Sequence, residues 1–235
     1  MHKNIALITG ASSGIGRDIS IELAKQGFEV ILSSRDMDKL NETCLLVEEV
    51  GGKGYVVAAD FSDVKSIESL YSESLKIGFV DTVINNAGFG KFDKIGDISI
   101  DDWDSQISVN LRAPFLITKL FSKNMVKNKK GMFVYINSVA GKKAYPYSSA
   151  YVSSKFGLLG FSRSVREEFR QDNIKVVSVH PGAIDTGFWD HLNVDFPREE
   201  MMSSSSIAKH VIQCICVSEN VVVEEIDIQR TKGDF

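Results

Sequence analysis

Short apolar runs alternate along the chain with longer segments whose apolar residues recur every three or four positions. The runs predict buried strands at residues 5–8, 29–33, 55–59, 81–85, 132–137, 176–179 and 225–229, the last at a sheet edge. The segments between them predict helices that begin near residues 15, 36, 64, 100 and 150. Pro114 predicts a kink or break in the helix from about 100 to 127, because proline lacks the bonding N–H. This rhythm is typical of a doubly wound α/β fold, with about seven mostly parallel strands and helices on both faces.

Length and composition fit one domain. The 235 residues contain no internal repeat, linker or charge block, so we expect a single domain over 1–235. A net charge of −4 gives no reason to expect nucleic acid or an anionic membrane as a partner. No apolar run is long enough to span a bilayer, and no signal peptide fits the start of the chain. We therefore expect a cytoplasmic protein.

Cysteine and histidine usage argues against a metal site. Cys44, Cys214 and Cys216 lack metal-type spacing, and their odd number argues against a disulfide framework. The four histidines are scattered along the chain. We expect free thiols and no catalytic metal.

A glycine-rich turn follows the first predicted strand. It reads TGASSGIG over residues 9–16, and the helix after it has apolar residues at positions 15, 19 and 23. Such a turn lets the backbone approach a pyrophosphate, and the free N–H groups of the helix N-terminus face its negative charge. The glycine spacing differs from the common G-x-G-x-x-G fingerprint, and many glycine turns bind nothing. Its position at the first strand–helix junction favours dinucleotide binding.

Tyr151 and Lys155 form a Tyr-x-x-x-Lys pair, with Ser138 thirteen residues before the tyrosine. Residues four apart share one face of a helix, so the phenol and the ammonium should point into the same space. A tyrosine with a pKa near neutrality, instead of about 10, needs about 4 kcal/mol of charge stabilisation. The Lys155 ammonium and the positive charge of an oxidised dinucleotide cofactor are sources of that stabilisation. Alone, the pair is equally typical of a surface tyrosine beside a solvated lysine.

Together these stretches resemble the short-chain dehydrogenase/reductases, and the resemblance covers nearly the whole chain. It is carried by TGASSGIG, Asp60, NNAG at 85–88, Asn110, and Ser138 with Tyr151 and Lys155, followed by Pro181-Gly182 and Thr186. The resemblance implies a Rossmann-type domain that transfers a hydride between a nicotinamide cofactor and a carbonyl or secondary alcohol. Tyr151 would be the general acid/base, Ser138 would hold the substrate oxygen, and Lys155 would also bind the nicotinamide ribose. The implied cofactor site contains Gly10, Ser12, Ser13, Gly14, Ile15, Gly16, Ser34, Arg35, Asp60, Phe61, Asn86, Ala87, Gly88, Tyr151, Lys155, Pro181, Gly182, Ile184 and Thr186.

The resemblance also implies individual roles. Asp60 would accept a hydrogen bond from the adenine amino group, although an Asp before a helix is also a common N-cap. Asn86 would steady the turn at the centre of the sheet, and Thr186 would contact the nicotinamide carboxamide. Asn110 would interrupt helical bonding and hold a water beside Lys155; otherwise it is merely a poor helix former.

The end of the second strand bears on the choice between NADP(H) and NAD(H). A site for NAD(H) places a carboxylate there, about twenty residues beyond the glycines. Here Ser34 and Arg35 follow the strand, and a guanidinium suits the 2′-phosphate of NADP(H). Asp36 could be the ribose carboxylate by distance, but we interpret it as the N-cap of the next helix. We therefore expect NADP(H), with NAD(H) as the alternative.

The segment over about 187–206 is predicted to be a short substrate loop. Trp189, Phe196, Met201 and Met202 are adaptable apolar side chains that suit a lid, although a surface loop with an oligomer contact explains them equally well. The C-terminus lacks the glycine-rich end of the family's ketoacyl reductases, which lowers the expectation of an acyl-carrier-protein substrate. We expect a small-molecule carbonyl reductase and, from the family, a homodimer or homotetramer. The alternatives are an NAD-dependent alcohol dehydrogenase and a non-catalytic cofactor-binding sensor.

Overall fold

Seven parallel strands form the central sheet of the computed structural model, which describes residues 4–190 and 197–234. In chain order the nine strands of the described residues, two of which lie outside the central sheet, are β1 (Ile5–Thr9), β2 (Glu29–Ser33), β3 (Lys53–Val56), β4 (Val80–Asn85), β5 (Gly131–Ile136), β6 (Ile174–Pro181), β7 (Ile184–Asp185), β8 (Met202–Ser203) and β9 (Glu225–Ile228). The sheet order is β3-β2-β1-β4-β5-β6-β9, and β7 pairs with β8 separately. The predicted fold class is confirmed, with an all-parallel sheet and β9 at its edge.

Helices cover both faces of this sheet. They are α1 (Gly14–Lys25), α2 (Met37–Glu49), α3 (Val64–Ile77), α4 (Ile100–Ile107), α5 (Ala113–Asn128), α6 (Ser149–Phe169) and α7 (Ser204–Ile215). None of the helices within the described residues is long and apolar enough to cross a membrane.

Two apolar clusters, one on each face of the sheet, pack the helices against it, and β1 contributes side chains to both clusters. Successive side chains of a strand point to opposite faces of the sheet. Ala6 and Ile8 pack into a cluster with α1, α2 and α7, whereas Ile5 and Leu7 belong to a cluster with α3, α5 and α6. Because both faces are covered, the central strands are continuously apolar rather than alternating. The strand order reverses between β1 and β4, and open α/β sheets bind ligands at the carboxyl ends beside such a point.

Two elements differ from the sequence-based expectation, and one predicted irregularity is present. β3 lies about two residues earlier than predicted. The break predicted at Pro114 in the helix from about 100 to 127 is present as a π-helical turn at Ser108–Arg112, which ends two residues before that proline. The predicted substrate loop is too long at its C-terminal end, because residues 202–206 form β8 and the first turn of α7. Met201 is buried, and Phe196 lies outside the described residues.

Candidate active site

Most of the predicted site residues follow the carboxyl ends of the strands. They lie after β1 (10–16), after β2 (34–35), after β3 (60–61), after β4 (86–88), after β5 (138) and at the end of β6 and beyond it (181–186). Asn110, Tyr151 and Lys155 reach the same edge of the sheet from the helical layer, on the π turn and on α6. Most of the predicted site residues therefore lie along one edge of the sheet, which is called the cleft below.

The turn after β1 is shaped by backbone that favours glycine. Gly10 and Gly14 have φ angles of 68° and 52°, in the left-handed region. A Cβ at Gly14 would lie 3.1 Å from Thr186 Cγ2, so the turn and the segment after β6 face each other closely. Ser13, the N-cap of α1, makes no side-chain capping bond. The first N–H groups of α1 thus remain available for an anion.

Asn86 joins the two strands at the switch point. Its side-chain amide donates to the carbonyl oxygens of Thr9 at 2.9 Å and Gly10 at 3.2 Å. The Thr9 hydroxyl accepts from the backbone N–H groups of Asn86 and Ala87, each at 3.0 Å. These bonds fix the end of β4 against the turn after β1, as expected for Asn86.

Arg35, Asp36 and Asp60 lie at the end of the cleft formed by β2 and β3. The Asp36 carboxylate accepts from Lys39 N at 3.1 Å and caps α2, which is the role predicted for it, and this bond lowers its pKa. Asp60 is not a helix cap, because Asp63 caps α3. Instead, Asp60 accepts from the N–H and hydroxyl of Ser62, which lower its pKa together with a smaller contribution from the Arg35 charge. Arg35 itself is exposed.

Three residues proposed for the cofactor site turn their side chains elsewhere. The side chains of Phe61 and Ile184 are buried in the two apolar clusters, so only their backbone could meet a ligand. The carbonyl oxygen of Ile184 also accepts from the Trp189 indole N–H at 2.8 Å. Ser34 is buried, and its hydroxyl accepts from Asp36 N at 3.2 Å.

Lys155 is held at the centre of the site by its own helix and by β5. Its ammonium donates to the Ile136 carbonyl oxygen at 3.0 Å, and the residue is only 4% exposed. The same ammonium lies 5.7 Å from the centre of the Tyr151 ring. The Ser138 hydroxyl faces the Tyr151 phenol closely enough to lower its pKa by a hydrogen bond. The three predicted side chains are therefore brought together.

Asn110 is fixed beside this group by the interrupted helix. Its amide group accepts from Phe89 N at 3.0 Å and donates to Phe89 O at 2.8 Å. Pro114 lacks the N–H that would bond to the Asn110 carbonyl in a regular α-helix. A Cβ at Gly88 would lie 3.2 Å from Asn110 Oδ1 and 3.6 Å from Lys155 Nζ, so these polar atoms converge on the turn after β4.

Burial dominates the ionisation of both central groups. It raises the pKa of Tyr151 to about 12, because enclosure of the hydroxyl outweighs the hydrogen bond with Ser138. It lowers the pKa of Lys155 to about 8. The groups of the chain itself therefore do not bring the Tyr151 pKa near neutrality; the expectation also includes the positive charge of a bound oxidised cofactor, so it stays a prediction. The phenol is protonated at neutral pH, which is the form that a proton donor requires.

Two further contacts were missed from the sequence. The rings of Phe92 and Phe188 lie 5.7 and 5.5 Å from that of Tyr151. His180, fully buried at the end of β6, places Nδ1 3.3 Å from the Ser138 carbonyl oxygen. The sequence feature that could have identified His180 as a site residue was its position directly before Pro181-Gly182. No periodicity brings residues 92 and 188 together, so the sequence alone could not indicate that contact.

The geometry of the cleft fits a dinucleotide. A glycine turn with free helix N–H groups suits a pyrophosphate, and Arg35 and Asp60 offer charge and hydrogen bonds at one end. The buried Lys155, Ser138 and Tyr151 lie at the other end, where a reacting group would meet them.

Comparison with known proteins agrees with this architecture. The sequence model of the family described as short chain dehydrogenase matches residues 4–195. Sepiapterin reductase from Chlorobaculum tepidum is 35% identical over 99% of this chain and 98% of its own length. The 3-oxoacyl-[acyl-carrier-protein] reductase of Synechocystis is 32% identical over 81% of this chain and 78% of its own.

Solved structures of similar oxidoreductases have the same fold as this chain. An alcohol dehydrogenase from Thermococcus sibiricus, complexed with 5-hydroxy-NADP, has a TM-score of 0.90 at 28% identity, covering 98% of this chain and 97% of that one. A metagenomic short-chain oxidoreductase in complex with NADP has a TM-score of 0.86 at 31% identity, with 97% of each chain covered. The chain belongs to the short-chain dehydrogenase family of oxidoreductases.

Proposed function

We propose that the protein is an NADP(H)-dependent oxidoreductase that interconverts a carbonyl compound and the matching secondary alcohol. The single observation that supports this most is the meeting of the Ser138 hydroxyl, the Tyr151 phenol and the buried Lys155 ammonium at the edge of the cleft. A protein that only senses a cofactor has no need of a proton-transfer set, so their joint placement favours an enzyme.

The side chains divide the reaction between them. A nicotinamide held in the cleft would supply or accept the hydride. In reduction, Tyr151 donates its proton to the carbonyl oxygen, and Ser138 donates a hydrogen bond that stabilises the developing negative charge. The Lys155 ammonium stabilises the phenolate that remains, and in oxidation that phenolate accepts the alcohol proton. Asn110, bound to Phe89, keeps the turn after β4 next to Lys155.

A panel of ketones, aldehydes and ketoacyl thioesters tests the proposal, with NADPH absorbance as the readout. We expect NADPH oxidation with at least one neutral carbonyl compound. NADPH binding without turnover of any member of the panel would support the sensor instead.

Arg35 carries the proposed preference for NADP(H). Because the Asp36 carboxylate is engaged as the cap of α2, it is not offered as the ribose carboxylate that a site for NAD(H) places after β2. We expect Arg35→Ala to weaken NADPH binding about 10- to 100-fold, in line with loss of a charge-assisted hydrogen bond, and to leave NADH binding nearly unchanged. Fluorescence titration with each cofactor measures this. Lys25→Ala, which removes an exposed cation at the far end of α1, is the control, and equal losses for both cofactors would contradict the assignment.

His180 is proposed as a positioning residue for Ser138. Its Nδ1 is the donor available to the Ser138 carbonyl, and its Nε2 has no hydrogen-bond partner among the described residues. We expect His180→Leu to lower kcat about 10-fold while the KM for NADPH is unchanged. His180→Asn, whose amide can donate from nearly the same place, should restore most of kcat. A loss that is equal in both variants, or that appears in KM, would argue against this role.

A further inference from the structure

Four aromatic rings form a connected group at the catalytic end of the cleft. Phe92 lies 5.7 Å from Tyr151 and 6.1 Å from Phe188, and Phe188 lies 5.5 Å from Tyr151. Trp189 continues the group at 5.3 Å from Phe188, with the two rings nearly perpendicular. Phe92, Phe188 and Trp189 are called the aromatic wall below. These rings stand next to the phenol that acts on the substrate oxygen.

The aromatic wall does not belong to the core of the protein. None of its members is part of either apolar cluster, and all three are only half-buried. Gly90 leaves space for it, because a Cβ there would lie 2.7 Å from Phe188 Cζ and 3.0 Å from Phe92 Cε1. Packing of the sheet and helices therefore does not explain why these rings are gathered at this position.

Backbone anchors fix the rings from two sides of the cleft. Phe188 follows Thr186 by two residues in a short 3-10 turn, and the Trp189 indole N–H holds that turn to Ile184 O at 2.8 Å. On the other side, Lys91 N donates to Gln106 Oε1 at 3.0 Å, and Asp93 N donates to Tyr147 O at 2.7 Å. The positions of the rings are thus established before any ligand arrives, which limits the entropy lost on binding.

Three lysines on the segments around this end of the cleft are already paired with carboxylates. Lys91 is bound to Asp102 at 2.6 Å, and Lys143 is bound to Asp234 at 2.8 Å. Lys142 contacts both Glu225 and Asp227. These lysines offer little to an anionic substrate, whereas the aromatic wall offers ring faces and edges to a neutral one.

We propose that the aromatic wall selects a neutral, planar aromatic or heteroaromatic compound whose carbonyl group is attached to the ring. This inference rests on the proposed function and names the substrate class of the same site. The carbonyl carbon accepts a hydride from NADPH and its oxygen accepts the Tyr151 proton. The C=O π bond is thereby replaced by new C–H and O–H bonds, NADPH becomes NADP⁺, and solvent returns the proton to Tyr151.

Acetophenone and cyclohexyl methyl ketone form a matched pair of probes, because they share a carbon skeleton and differ in the planarity of the ring. Conjugation makes the aryl ketone the less reactive of the two, so a preference for it must come from binding. Ring–ring contacts favour a planar ligand about 2- to 10-fold each. We expect kcat/KM to favour acetophenone about 10-fold or more in the unaltered protein.

Variants of the aromatic wall test whether its rings cause the preference for acetophenone. We expect Phe188→Leu and Phe92→Leu each to reduce the preference at least 3-fold, and Phe188→Tyr, which keeps a ring, to retain it. Phe156→Leu removes an exposed ring on α6 and should leave it unchanged. A preference that survives in both leucine variants would overturn the proposal.

A binding measurement separates this inference from the proposed function. Tyr151→Phe keeps a ring at position 151 but lacks the hydroxyl that donates the proton. Calorimetric titration of its NADPH complex with each ketone therefore reports affinity without turnover. Tighter binding of acetophenone that is lost when Phe188→Leu is added to Tyr151→Phe supports selection by the aromatic wall, even if neither ketone is reduced. Equal affinities for the two ketones overturn it, and reduction of both by the unaltered protein would then leave the proposed function intact.

Discussion

Tyr151→Phe should abolish carbonyl reduction while NADPH binding stays nearly unchanged. The substitution removes the hydroxyl that donates the proton and keeps the ring in its contacts with Phe92 and Phe188. General acid–base catalysis contributes about 10²- to 10⁴-fold, so kcat should fall by at least that factor. Steady-state kinetics with the best carbonyl compound of the panel, together with NADPH titration, measures both quantities.

Tyr71→Phe is the matched control for this result. The Tyr71 hydroxyl accepts from Asn124 at 3.4 Å, away from the cleft, so its loss should leave kcat within about 2-fold of the unaltered enzyme. If Tyr151→Phe retained more than a tenth of the turnover, another group would have to donate the proton.

Lys155→Met should give the second large loss, about 10²-fold or more in kcat. The substitution keeps an unbranched side chain but removes the charge that stabilises the phenolate. Burial lowers the pKa of Lys155, so the ammonium is held in the core at a cost, and its removal should not greatly weaken the fold. Thermal unfolding checks that the midpoint stays within a few degrees. Lys123→Met, an exposed position on α5, should change neither kcat nor the midpoint, and a normal kcat in Lys155→Met would refute the role.

The same pKa shifts predict a pH dependence. With its pKa near 8, Lys155 is an ammonium below that pH and a neutral amine above it. Tyr151, with a pKa near 12, remains a proton donor throughout. Reduction should therefore be fastest below pH 8 and should decline as the pH rises through that value. A kcat profile from pH 6 to 10 measures this, and a rate that increases over the range would contradict the assignment.

The fold was largely predictable because its strands are buried on both faces. Such strands appear in the sequence as continuous apolar runs, and each run predicted one member of the sheet. α7 was missed because it begins within the four serines at 203–206, which are typical of a loop. Only the structure shows that the Ser203 hydroxyl caps the helix by accepting from Ser206 N at 3.2 Å. The apolar residues Ile207, Val211 and Ile215, spaced by four, were the signal that could have identified it.

The site was predictable where its residues form local motifs, and not where it depends on packing. Tyr151 and Lys155 are one helical turn apart, and Ser138 follows a strand, so the sequence brings these groups together directly. The pKa of Tyr151 depends instead on how tightly other elements enclose the hydroxyl, which residue spacing does not reveal. The aromatic wall joins residues almost one hundred positions apart on two loops, and no periodic pattern connects loops.

Transfer of isotope from the cofactor tests the central claim most directly. The enzyme would reduce the best carbonyl compound of the panel with NADPH that carries deuterium at nicotinamide C4, each face being labelled in a separate experiment. We predict that the alcohol from one of the two labelled cofactors contains one deuterium at the carbinol carbon, and that Tyr151→Phe forms no labelled alcohol. Alcohol without deuterium from either cofactor, or labelled alcohol formed at the normal rate by Tyr151→Phe, would contradict the account.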